Sequence, residues 1–122
     1  MKLVVEESES RALAVWLREQ RPSLLASVLG RVEVARTVRL VESSPAARAR
    51  VDELFETVHL FAVTTAVRLR AEQVGPQALR SLDAVHLATA LEADIREMLV
   101  YDRRLAEAAR ANGIAILSPG VR

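Results

Sequence analysis

The sequence predicts an α/β domain: a short parallel sheet of four brief strands, covered by helices. Two observations carry that prediction. Helical and strand-like segments alternate along the chain, with helices in the majority. The strand-like segments are also short, unbroken apolar runs without polar alternation, the mark of parallel strands buried on both faces. With 51% hydrophobic and 27% charged residues over 122 positions, the chain has the means for one buried core and a solvated surface.

The elements follow in order. Residues 8–20 read as an amphipathic helix, with Leu13, Trp16 and Leu17 at i, i+3 and i+4. Arg21-Pro22 ends it. Leu24-Leu25-Ala26 is a buried strand, and Ser27 caps a helix over residues 28–41 with apolar positions at 28, 32, 35 and 38. Glu42-Ser43-Ser44-Pro45 breaks the chain, with Pro at a first helical position, and residues 46–55 form the next helix. Residues 58–63 make a second strand. Thr64-Thr65 starts a helix that runs to Gln73 and closes at Val74-Gly75-Pro76. Ser81 caps an almost wholly apolar helix over residues 82–93. A third strand spans residues 98–101, a helix spans 103–111 until Asn112-Gly113, and a last strand spans 114–117. The whole reads as one domain over residues 1–122.

Composition excludes several chemistries. There is no Cys, hence no disulfide framework, zinc–thiolate site or thiol nucleophile. The two histidines, His59 and His86, stand in no metal-ligand spacing, and the four glycines are scattered rather than gathered into a phosphate loop. No apolar run approaches a membrane span, which makes a cytoplasmic protein without membrane contact the expectation. Seventeen basic residues against sixteen acidic ones leave a formal charge of +1, which decides nothing about nucleic acid. Aromatics are 3%, so Leu, Val, Ile and Ala must build the core.

Carboxylates remain, and three are placed unusually. Asp83, His86 and Thr89 form a polar stripe, spaced by three, on the apolar helix of residues 82–93. Asp83 either complements the helix dipole or does chemistry; His86 is either a satisfied core histidine or a ligand. Asp102 directly follows a strand, at the sheet edge where α/β sites form, and is also a natural helix cap. Glu33 stands between Val32 and Val34, beside the core-facing stripe, and is also spaced to pair with Arg36. Glu6, Glu7 and Glu9 read as a solvated face. Acids converging from three distant segments repel one another unless protonated or neutralised by a cation. Carboxylates without His or Cys partners are hard oxygen ligands, suited to Mg²⁺ or Mn²⁺. The chemistry they imply is metal-assisted phosphodiester hydrolysis.

Three segments resemble one family. The run Arg80-Ser81-Leu82-Asp83-Ala84-Val85-His86-Leu87-Ala88-Thr89-Ala90 resembles the third-acid motif of PIN-domain toxins of the VapC type. The run Val100-Tyr101-Asp102-Arg103-Arg104-Leu105-Ala106-Glu107-Ala108-Ala109 resembles their fourth-acid motif, and Arg31-Val32-Glu33-Val34-Ala35-Arg36 their second-acid helix. The resemblance implies a three-layer α/β/α sandwich with a short parallel sheet. It implies a Mg²⁺- or Mn²⁺-dependent endoribonuclease, the toxin of a toxin–antitoxin pair. Glu33, Asp83 and Asp102 would be its metal ligands. Arg36, Arg80 and Arg103 beside them would meet RNA phosphates or an antitoxin. The partners it implies are RNA, a VapB-like antitoxin and a second copy in a homodimer.

Two departures are visible. Many members carry a hydroxyl residue two before the fourth acid, where this chain has Val100. The family also opens with a central apolar strand ending in Asp, then a helix whose end reads like Lys2-Leu3-Val4-Val5-Glu6-Glu7. The expectation is therefore a start assigned to an internal Met, with the first strand and first acid absent. Strands lie about 4.8 Å apart, so loss of a central one leaves a gap of about 10 Å with unpaired edges on both sides. A site of three acids where the family has four would hold metal weakly. Two other readings stand beside the nuclease: a degenerate PIN scaffold that binds a partner or RNA without cutting, and an α/β domain whose acids only cap helices and form salt bridges.

Overall fold

Short polar side chains just ahead of apolar runs set most helix starts in the computed structural model, which describes residues 8–20, 24–100 and 102–119. The order is α1 (Ser8–Gln20), β1 (Leu24–Ser27), α2 (Val28–Val41), α3 (Pro45–Phe55), β2 (Val58–Phe61), α4 (Thr65–Gln73), α5 (Ser81–Glu92), β3 (Glu97–Leu99), α6 (Arg103–Ala111) and β4 (Ala115–Leu117). Ser27 Oγ accepts from Leu29 N at 3.1 Å, Ser44 Oγ from Ala47 N at 3.1 Å, and Thr64 Oγ1 from Val67 N at 3.2 Å. Each bond satisfies a backbone donor that has no partner inside its helix. Ser27 is itself buried at 3% exposure. Ser27→Ala is expected to cost about 1 kcal/mol in chemical denaturation, the usual loss for a removed cap.

Two helices end with the same device. At the end of α6, Gly113 (φ 83°) lets its own N–H reach Arg110 O at 3.0 Å and the N–H of Ile114 reach Ala109 O at 2.9 Å. At the end of α5, Asp94 (φ 55°) takes the glycine's place, with Asp94 N to Leu91 O at 3.2 Å and Ile95 N to Ala90 O at 2.8 Å. Both are Schellman closures, and Asp is among the few non-glycine residues that enter the left-handed region.

The strands are parallel, as expected, but they form two pairs rather than one sheet. β1 pairs with β2, in the register Leu24↔Val58 to Ser27↔Phe61. β3 pairs with β4, in the register Glu97↔Ala115 to Leu99↔Leu117. The second ladder continues through Val100 N to Leu117 O at 3.1 Å. Each pair has its own core. Val34, Val38, Ala47, Val51 and Phe55 pack α2 on α3, with Ala26 and Val58 of the first strand pair against them. Leu87, Ala90, Val100, Leu105, Ala106, Ala108, Ala109 and Ile114 pack α5 and α6 over the second pair. α5 links the halves, touching β1, α2, α4 and α6.

Some sequence expectations need correction. The inward stripe of α2 is Val34 and Val38, while Val28, Val32 and Ala35 are exposed. That helix is apolar on more than one face, so periodicity alone does not choose the stripe; contact with α3 does. Ser81 is the first helical residue of α5 rather than its cap. Arg80 is the cap, without a side-chain bond, and its carbonyl accepts from Ala84 N at 2.8 Å. The second strand stops at Phe61 and the last begins at Ala115. Residues 1–7, the Arg21-Pro22 break and Tyr101 lie outside the described residues. No helix among the described residues is long and apolar enough to cross a membrane.

Candidate active site

The two strand pairs border one cleft of about 950 Å³. β1 and β3, each paired on one edge only among the described residues, both line it. Its walls also carry Trp16 of α1, Glu33 of α2, Asp83, His86 and Thr89 of α5, and Asp102. The three predicted acids therefore reach one cavity from three separate elements.

Their placement follows from local structure. Glu33 lies in the second turn of α2, the helix that follows β1. Asp102 lies just beyond β3 and caps α6, with Oδ1 accepting from Arg104 N at 2.8 Å. The capping reading of Asp102 thus holds, and it leaves the second carboxylate oxygen outside that bond. Asp83 sits in the first turn of α5, where a negative charge complements the helix dipole. Asp102 thus lies beyond the carboxyl end of β3, where α/β folds place sites.

Electrostatics tie the acids together. Burial in the cleft pushes the Asp83 carboxyl above the usual aspartate range, and the charge of Asp102 adds to this. His86 opposes the rise, Glu33 reinforces it, and Arg80 opposes it. Asp83 thus feels both other acids, the self-repulsion expected of converging carboxylates.

The remaining stripe residues separate. His86 Nε2 lies 3.5 Å from Glu33 Oε2, joining α5 to α2 across the cleft wall. Glu33 makes this contact, and no ion pair to Arg36 occurs among the described residues. Sequence reasoning treated Glu33 and His86 separately because 53 positions divide them. Thr89 is buried and donates to Val85 O at 2.7 Å, a structural role. His59 lies on the exposed part of β2, away from the cleft. Val100 is buried in the core and offers no hydroxyl. Arg36 and Arg80 are exposed; Arg103 is exposed too, 3.6 Å from Glu107 one turn along α6.

The donor set suits a divalent cation in kind, since all three cleft acids offer hard oxygens. In arrangement it is open: no group of three or more His, Asp or Glu among the described residues stands close enough to hold a metal ion together.

Short parallel strands joined through helices agree with a known class. The PIN domain family model matches residues 1–111, and the chain belongs to that family. Within it, the chain is similar to ribonuclease VapC35 of Mycobacterium tuberculosis, at 39% identity over 126 residues covering 98% of this chain and 91% of the relative. It is likewise similar to ribonuclease VapC47 (36% over 124 residues, covering 98% and 90%) and ribonuclease VapC46 (37% over 121 residues, covering 98% and 91%) of the same organism. No solved structure gives a significant match.

Proposed function

We propose that the protein is a Mg²⁺- or Mn²⁺-dependent endoribonuclease, the toxin of a VapBC-type pair. The observation that carries this reading is that Glu33, Asp83 and Asp102 all line one cleft, with Asp83 raised by burial and by both neighbours. Membership of the PIN family and the ribonuclease names of its relatives support it.

On this reading Glu33, Asp83 and Asp102 hold the cation. Once bound, a divalent ion lowers the pKa of a ligated water and neutralises charge developing on a phosphodiester. The chain's own residues supply the rest. The acids fix the place of positive charge, and α6 holds Asp102 by its capping bond. The exposed Arg36, Arg80 and Arg103 offer planar donors to RNA phosphates or to the antitoxin. The partners are RNA, a VapB-like antitoxin over the acidic cleft and a second copy of the chain, in the cytoplasm.

The test is cleavage of RNA by the purified protein with Mg²⁺ or Mn²⁺ against Asp83→Ala. Equal activity removes Asp83 from the mechanism. Asp102 separates its two roles. Asp102→Asn keeps a good cap and is expected to lose cleavage with little loss of stability, whereas Asp102→Ala loses cleavage and also about 1 kcal/mol in denaturation.

A second reading is a PIN scaffold that binds antitoxin or RNA without cutting. The open spacing of the acids favours it. Tight Mn²⁺ binding in a calorimetric titration counts against it.

A further inference from the structure

We infer that His86 is a positioning residue: its imidazole, lying over Gly30, holds the Glu33 carboxylate in the cleft. The metal consequence of this inference rests on the function proposed above; the contact itself does not.

The geometry is reciprocal. On α5, His86 follows Asp83 by three residues; on α2, Glu33 follows Gly30 by three. Residues three apart share a helix face, so α5 presents Asp83 and His86 on one face, and α2 presents Glu33 beside the bare backbone of Gly30. α2 and α5 are packed together. His86 Nε2 meets Glu33 Oε2 at 3.5 Å, the long limit of a hydrogen bond. The ring's other edge passes over Gly30. A Cβ added there would lie 3.5 Å from His86 Cε1 and 3.9 Å from Nδ1. Glycine is a weak helix former, yet it stands in the first turn of α2; an alanine Cβ would fit against the ring at contact distance, whereas a side chain branched at Cβ would press on it. The ring is mostly enclosed, at 16% side-chain exposure, while Glu33 at 44% has water on one side. A half-exposed carboxylate thus faces a mostly enclosed ring. With a proton on Nε2 the ring donates to the Glu33 carboxylate, which can only accept. Asp83, which feels Asp102, Glu33 and Arg80, feels His86 as well.

Residues that orient metal ligands from behind typically contribute tenfold to a hundredfold in metal affinity. The inference therefore has two arms. In the first, nitrogen-15 NMR of the histidine side chains is recorded on the metal-free protein. Glu33→Gln is expected to move the His86 Nε2 resonance and leave His59 unchanged. In the second, Mn²⁺ affinity is measured by calorimetry. His86→Ala is expected to weaken binding about tenfold; His86→Gln, which restores a donor, recovers most of it. In a Glu33→Ala background, which removes the acceptor, His86→Ala has no further effect. Gly30→Ala leaves affinity unchanged, because its Cβ lands at ordinary contact distance, whereas Gly30→Val weakens it as His86→Ala does. A His86 resonance indifferent to Glu33→Gln, or losses that simply add in the double variant, overturns the positioning role with the proposed function intact. Absence of Mn²⁺ binding by the wild type overturns the proposed function and the metal consequence together.

Discussion

Asp83→Asn is expected to lower RNA cleavage about a hundredfold or more, the scale on which loss of one preorganised electrostatic group is felt. It is expected to do so without lowering the stability of the metal-free protein. The sign follows from the cleft. Burial first, then the charges of Asp102 and Glu33, raise the Asp83 pKa in the folded state above its ordinary value of 3.8. Below that ordinary value, folded and unfolded chains both hold the proton, and the protonated group's favourable contribution is fully present. As pH rises through the raised folded value this contribution is lost, and above it the ionised carboxylate opposes folding. Asparagine carries no charge, so the variant escapes this loss. The Tm difference between variant and wild type is expected to shift in the variant's favour as pH rises through that window. Added Mn²⁺ reverses the order. Binding to the folded state alone stabilises by mass action, so the wild type gains Tm and the variant gains little. Calorimetric scans across pH, with and without Mn²⁺, read both effects. A variant that cuts RNA at the wild-type rate sinks the assignment of Asp83; one that melts lower at every pH sinks the account of its strain.

Much of this site was legible in one dimension, for identifiable reasons. Two of the acids stand at element ends, which carry strong local signals: a short apolar run before Asp102 and a polar stripe that begins with Asp83 in the first turn of α5; Glu33 lies inside α2, where its only local mark is its place between two valines. The close of α6 was also legible, because Asn112-Gly113 announces a left-handed residue. The close of α5 was less so, because Asp94 performs that turn without glycine. The orientation of α2 was hidden for a different reason. Its valines allow more than one inward stripe, and the choice of Val34 and Val38 is made by Ala47, Val51 and Phe55 of α3. The contact between His86 and Glu33 depends in the same way on how α2 meets α5. Element ends are local properties. Helix rotation and cross-helix contacts belong to the assembled core, and there the sequence pattern is degenerate.

Leu87→Ala is expected to be the converse of Asp83→Asn: a loss of stability with the site kept. Leu87 lies on α5 four residues after Asp83 and one after His86, with no exposed surface. It points into the core formed with Leu105, Ala106, Ala109 and Ile114, and is absent from the cleft lining. Truncating a buried leucine costs about 2–5 kcal/mol, and the spread reflects how far the surroundings can close over the void. Here they close poorly. Several of its neighbours in that core are alanines, Ala90, Ala106, Ala108 and Ala109, and alanine has no side-chain torsion with which to refill space. The cost is therefore expected in the upper half of that range. Against a total of about 5–15 kcal/mol for a folded domain, this is a large fraction. The Tm is expected to fall by roughly ten degrees or more. Leu87→Met, which nearly conserves volume, is expected to cost less than about 1.5 kcal/mol. Molecules that remain folded keep Glu33, Asp83 and Asp102 in place, so Mn²⁺ affinity extrapolated to the folded fraction is expected to match the wild type. A loss below about 1 kcal/mol for Leu87→Ala would mean that α5 slides to fill the void. Asp83 and His86 would then move with it, and a changed Mn²⁺ affinity in the same variant would register the shift.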